Sequence, residues 1–309
     1  MIAIWAGEGG SIMTWIVFNS IVITFYRLKT QRDKDIIFIR SIIFSLMISI
    51  VFLGILLFLN VFRIETPIIF PNGRGLNPFL ISPYMLWHPL FTFIAYAIFL
   101  IPFAVAISEI ITPRTKLHSA YQKAYYNFAL KVGWMVLTLS IGLGAFWAKN
   151  TVNWGGYWSW DPVETVTLIP WLFCTAYFHT TSFRKKNERL IKINVVLIFF
   201  SILFATFITR GGGLNSLHAF TGAQELIGLV AIIGVLMVIL SLYIIYDLLD
   251  KIIEDYKKTK LFFDYLSYLF LFILSFFFIF GLVVPPLTYI LICTYSNNFL
   301  YLITVFFVI

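Results

Sequence analysis

A chain of 309 residues that is 61% hydrophobic and 12% charged, with a mean hydropathy of +0.93, lies outside the range of water-soluble domains. Its 22 Lys and Arg against 14 Asp and Glu give a formal charge of +8, but the basic residues are spread over short loops between apolar runs, which excludes a nucleic-acid groove. The two cysteines, Cys174 and Cys293, stand alone inside apolar runs, so neither a disulfide scaffold nor a CxxC dithiol relay is present.

Apolar runs long enough to cross about 30 Å of hydrocarbon recur near 11–26, 36–62, 88–111, 132–148, 163–183, 193–209, 225–246, 262–284 and 287–309. The first is short, and the last two are divided only by Pro285 and Pro286. The pattern predicts an all-α, polytopic membrane helical bundle of about nine transmembrane helices, forming a single transmembrane domain over residues 1–309. The 34 Phe and abundant Ile suit an AT-rich coding genome such as an organelle's.

Lys and Arg resist translocation, so their distribution orients the chain. Alternate loops, at Arg27 to Arg40, Arg114 to Lys131, Arg184 to Lys192 and Lys251 to Lys260, hold 18 of the 22 basic residues. The other set holds only Arg63, Arg74, Lys149 and Arg210. These poorly charged loops are expected on one face of the membrane, opposite the basic one.

Nearly everything unusual falls on that poorly charged face. The loop at 153–164 places Trp154, Tyr157, Trp158 and Trp160 within seven residues, around Gly155 and Gly156. An interfacial aromatic belt is one explanation of such a cluster. The other is a fixed stacking platform for a flat apolar ligand, with the two glycines allowing close backbone approach. Asp161, Pro162 and Glu164 have the order of an N-cap, an N1 proline and an N3 acid, which predicts a helix start that would anchor the loop.

Histidine is scarce, with four in the chain. His88 opens the third span and His218 closes the Gly-rich loop after the sixth, so both are expected on the face of the aromatic loop. Two neutral imidazoles of this kind can make an axial pair for haem iron, although a lone His at a helix end is commonly a cap or a surface group. His179 lies well inside the fifth span, where an ionisable side chain is costly; it is either a ligand to a second, buried haem or a hydrogen-bond partner of a neighbouring helix. His118, in a basic loop, reads as solvated.

Several segments resemble the CcmF-type cytochrome c haem lyases. The stretch Trp154-Gly-Gly-Tyr-Trp-Ser-Trp-Asp-Pro-Val-Glu164 resembles the WWD motif of haem-handling proteins. Gly75-Leu-Asn-Pro-Phe-Leu-Ile-Ser-Pro83 with His88-Pro89, Pro170-Trp171 leading to His179, and Thr206 to Arg210 followed by Leu217-His218-Ala-Phe220 resemble further family motifs in the same order. Trp5-Ala-Gly-Glu-Gly-Gly-Ser11 is similar to the family's N-terminal element, with Gly9 in place of Glu. Tyr157, Ser159 and Thr165 depart from the family's usual Trp, Phe and Asn and are nearer the CcsA branch, whereas the contexts of His88 and His218 are not.

The resemblance implies a haem lyase component in the mitochondrial inner membrane, or a bacterial inner membrane, with the WWD face toward the intermembrane space or periplasm. Its haem-handling core would span about 70–222. Carried over residue by residue, His88 and His218 would ligate the haem b that is transferred, while Trp154, Gly155, Gly156, Tyr157, Trp158, Trp160 and Asp161 would line its site. His179 would hold a resident haem b. The implied partners are a CcmE-like haem chaperone, apocytochrome c, membrane lipid, and a second lyase chain supplying a membrane histidine missing here, as in split mitochondrial versions. No residue of this chain acts as nucleophile, because the attacking thiols belong to the CxxCH segment of the substrate. Two other readings remain open: a non-catalytic haem hand-off module, and a structural subunit of respiratory complexes that keeps the lyase fold.

Overall fold

The computed structural model describes residues 8–30, 35–58, 82–112, 120–150, 156–180, 188–211, 235–246 and 259–294. Among the described residues are eight helices and no strand: α1 (Glu8–Lys29), α2 (Ile36–Phe58), α3 (Pro83–Ile111), α4 (Ala120–Asn150), α5 (Pro162–Phe178), α6 (Glu188–Gly211), α7 (Val235–Tyr246) and α8 (Thr259–Thr294). Five of them, α1 to α4 and α8, carry segments long and apolar enough to cross a membrane. The chain is a helical membrane protein, as its composition predicts.

The expected nine spans are not established among the described residues, where α5, α6 and α7 fall short of spanning length or hydropathy, and two details at the C-terminal end differ from the reading. The apolar run at 225–246 contributes the short helix Val235–Tyr246, with its earlier part outside the described residues. Pro285 and Pro286 do not end the eighth span: α8 continues through both to Thr294, so the ninth span read at 287–309 begins inside the same helix, and 295–309 lie outside the described residues. A proline removes one N–H and crowds the carbonyl four residues back. In lipid, unwinding the segment would strand more backbone groups than it relieves, so an apolar helix tolerates the lesion.

Helix α3 is the hub of the bundle, in contact with α1, α2, α4 and α6, while α5 joins α4, α6 and α8. Its central position follows from its side chains. Ala95, Ala97, Ala104 and Ala106 are completely buried, and such small residues let neighbouring backbones approach closely where lipid provides no hydrophobic drive between helices. Larger rings fill the remaining space: Trp15 of α1 meets Phe52 of α2 at 4.5 Å and Tyr96 of α3 at 5.6 Å between centroids, and Phe103 stacks on Phe199 of α6 at 4.6 Å.

Helices α4 and α5 are joined by reciprocal indole bonds. Trp134 Nε1 donates to Thr175 Oγ1 at 2.9 Å, Trp171 Nε1 donates to Thr138 Oγ1 at 2.8 Å, and the two indoles stack at 5.6 Å. Near the basic end, Lys192 of α6 pairs with Glu109 of α3 at 3.1 Å and Arg40 of α2 donates to Thr112 Oγ1 at 2.7 Å. The opposite ends of α3, α4 and α5 are thereby brought together, and these carry the aromatic loop and His88. Cys174 is buried, with its thiol directed at the Leu130 carbonyl at 3.6 Å, consistent with an inert core residue.

Candidate haem-handling site

The start of α5 is built as the sequence predicts. Asp161 is the N-cap and its carboxylate accepts the Val163 N–H at 2.9 Å; Pro162 follows at the first helical position, and Glu164 completes a capping box. Glu164 Oε2 accepts the Ser159 N–H at 2.8 Å, the Ser159 hydroxyl at 3.2 Å and the Asp161 N–H at 3.3 Å. One carboxylate therefore grips the chain on both sides of Trp160.

That grip explains a backbone feature the sequence does not announce. Trp160 has φ of 58°, the left-handed region that a bulky residue enters only at a cost of about 1–3 kcal/mol. With Ser159 and Asp161 both fastened to Glu164, the residue between them has no relaxed alternative. Its indole is exposed and contacts Trp158 edge-on at 6.0 Å and Phe278 of α8 at 5.9 Å.

Gly156 is glycine for a backbone reason as well. Its φ of 141° is one that side chains rarely adopt, and a Cβ there would meet nothing within 4 Å. Tyr157 is held from α4: Lys149 Nζ donates to its hydroxyl at 2.6 Å and lies 4.5 Å from its ring centroid, while Phe146 packs perpendicular to the ring at 5.7 Å between centroids. A tryptophan, usual at this position in the resembled family, offers no hydroxyl for that bond. Trp154 and Gly155 lie outside the described residues.

His88 stands at the same end of the bundle, one turn into α3. Its Nδ1 lies 2.8 Å from the Ser140 carbonyl of α4, so the ring donates through Nδ1 and the lone pair resides on Nε2, the arrangement of a metal-ligating histidine. Ser140 Oγ reinforces the contact by donating to the His88 carbonyl at 3.1 Å, and Thr92 joins the same cluster at 2.5 Å from Ser140 Oγ. Trp147 flanks the imidazole at 5.9 Å.

His88 and Trp158 line one open pocket, together with Ile141, Gly144, Ala145, Val163, Glu164 and Thr167. The cavity itself is about 40 Å³, well below the ~300–1,000 Å³ of small-molecule sites, so these residues form a shallow cleft that could seat the edge of a larger ligand. Trp158 Nε1 is buried without a hydrogen-bond partner among the described residues. A buried indole donor of this kind is a group that an acceptor would satisfy.

The predicted residues thus divide. His88, Tyr157, Trp158, Trp160, Asp161 and Gly156 gather at one end of α3, α4 and α5; His218 lies outside the described residues. His179 lies at the end of its helix, not within it: α5 ends at Phe178, and His179 is its C-cap, exposed, with its N–H bonded to the Ala176 carbonyl at 3.0 Å. The apolar run continues past it in sequence, but the helix stops at Phe178. Ser140 and Gly144 were not evident as site residues. The signal available was their small-residue spacing of four on one span, which marks close helix approach without saying what approaches.

We expect Asp161→Ala to remove the N-cap bond and destabilise the chain by about 1 kcal/mol, a fall of about 2 °C in the thermal midpoint in detergent. Asp161→Asn, which keeps a capping oxygen, is expected to stay close to wild type.

Residues 5–214 match the family described as cytochrome C assembly protein. A probable cytochrome c-type biogenesis protein NrfE of Escherichia coli K12 is 32% identical over 223 residues, covering 71% of this chain and 40% of the relative. The cytochrome c-type biogenesis protein CcmF of the same organism is 34% identical over 222 residues, covering 71% and 34%. CcmF of Haemophilus influenzae is 33% identical over 241 residues, covering 75% and 37%. The chain spans 40% or less of the length of these relatives. No solved structure matches it. The family match runs through the His88 pocket, the aromatic loop and α6, and the chain belongs to the cytochrome c assembly proteins, as a CcmF-type cytochrome c biogenesis protein.

Proposed function

We propose that this chain is the haem-handling part of a cytochrome c haem lyase, holding haem b between His88 and His218 beside the Trp-rich loop while it is joined to apocytochrome c. The observation that carries the reading is the Nδ1 bond of His88 to the Ser140 carbonyl, which leaves the Nε2 lone pair for ligation, in a pocket shared with Trp158, whose Nε1 has no partner among the described residues. In the joining step each cysteine S–H of a CxxCH segment adds across a haem vinyl group; a C–S bond forms, the hydrogen goes to the other vinyl carbon, and no net oxidation occurs. The protein's contribution is orientation, held by the clamped loop and the fixed imidazole.

On this reading the poorly charged face looks toward the intermembrane space or periplasm, where a haem chaperone of the CcmE kind and the apocytochrome dock. His179, exposed at the end of α5, would hold a resident haem together with a histidine from a second lyase chain.

The test is a reduced-minus-oxidised absorption spectrum of the chain purified with its native partners. Bis-imidazole haem bands are expected. Intact material without any haem signal overturns the proposal and favours a structural subunit.

A further inference from the structure

We propose that Gly144 is a positioning residue for His88: its missing side chain is what admits the imidazole to the Ser140 carbonyl and sets the angle at which His88 meets a ligand. This rests on the reading of His88 as a haem ligand, and extends it to a residue that touches no iron.

A Cβ built on Gly144 would lie 2.8 Å from His88 Cε1, 2.9 Å from Nδ1 and 3.5 Å from Nε2. Contacts below 3.0 Å do not persist, so any side chain at 144 must push the ring away. The direction of that push is set by what lies on the ring's edge. The ring is held at 2.8 Å from the Ser140 carbonyl, one helical turn before Gly144 on α4, and in an α-helix that carbonyl also accepts the Gly144 N–H. A carbonyl inside a helix is ordinarily shielded by the side chain one turn on; here glycine leaves it open to a second donor from α3. Displacing the ring breaks the bond that fixes the tautomer, and with it the orientation of His88 in the lining of the pocket it shares with Trp158 and Glu164.

The same helix provides matched controls. Gly142, two residues away, has nothing within 4 Å of a built Cβ, so Gly142→Ala gains helix propensity without touching the site. Gly133 is as crowded as Gly144, but by Phe99, whose Cε1 is 2.9 Å from the built Cβ. Gly133→Ala therefore imposes a comparable clash between α3 and α4 three turns from His88.

The experiment compares wild type, Gly144→Ala, Gly142→Ala and Gly133→Ala, each purified in detergent. Ferric haem b is titrated by its absorption spectrum, and histidine ¹⁵N shifts are recorded without haem, with His88 assigned by His88→Ala. Gly144→Ala is expected to lose roughly 10- to 100-fold in haem affinity, the range for a residue that orients a ligand, and to lose the Nδ1-protonated signature of His88. The two control variants are expected to keep both. Unchanged affinity and an unchanged His88 signature in Gly144→Ala overturn the proposal, as does equal haem loss in Gly133→Ala. If wild type binds no haem while the His88 signature still shifts only in Gly144→Ala, the positioning role stands and the haem reading falls.

Discussion

On the proposed function, His88→Ala is expected to weaken haem binding by more than the roughly 10- to 100-fold typical of losing an orienting neighbour, because it would remove the ligating nitrogen itself. The structure separates this effect from misfolding. The ring is half-buried at the end of α3, and the Ser140 carbonyl it leaves behind keeps its place in the α4 helix, so no buried acceptor is stranded. The void left next to Gly144 is the size of the missing ring and opens to the pocket. Added imidazole is therefore expected to enter it and restore part of the haem spectrum in His88→Ala. A variant that folds, keeps the wild-type spectrum and ignores imidazole would exclude His88 as a ligand. His218→Ala provides the companion measurement.

The second large effect concerns the frame that holds the pocket. Phe173 is completely buried on α5 and meets Phe272 of α8 at 4.9 Å, while the carbonyl of Phe173 accepts from Asn194 Nδ2 of α6 at 3.4 Å. Three helices converge on this residue. Phe→Ala changes in protein cores cost about 3–5 kcal/mol, part from transfer and part from the cavity. Between helices in lipid the transfer part is weak and lost packing dominates, which puts the expectation near the lower end, about 3 kcal/mol. Phe270, on α8 two residues from Phe272, is 64% exposed and serves as the comparison. Phe270→Ala is expected to fall within about 0.5 kcal/mol of wild type. Equal loss of stability in the two variants, measured by unfolding in detergent, would contradict the packing described for α5, α6 and α8.

Local signals in the sequence served well where the physics is local. The membrane class follows from average hydropathy, and the start of α5 from Asp161, Pro162 and Glu164, whose capping bonds span only two to five residues. Motif order was enough to indicate the family. Local signals also misplaced two boundaries: hydropathy runs on past His179 where the helix does not, and Pro285 reads as a stop where α8 continues.

The site itself depended on distance in the chain. His88 and Ser140 are 52 positions apart, and nothing near either of them says that the imidazole will donate to that carbonyl or that Gly144 must stay bare. Likewise, the left-handed Trp160 is imposed by a carboxylate four residues on. The sequence by itself determined that this is a helical membrane protein of a cytochrome c assembly family with an aromatic loop anchored at a helix start, since composition, periodicity and capping act over a few residues. Only the tertiary structure decided which side chains share the pocket, because helix packing is set by steric fit between segments remote in the chain, and such fit leaves no periodic trace in either one alone.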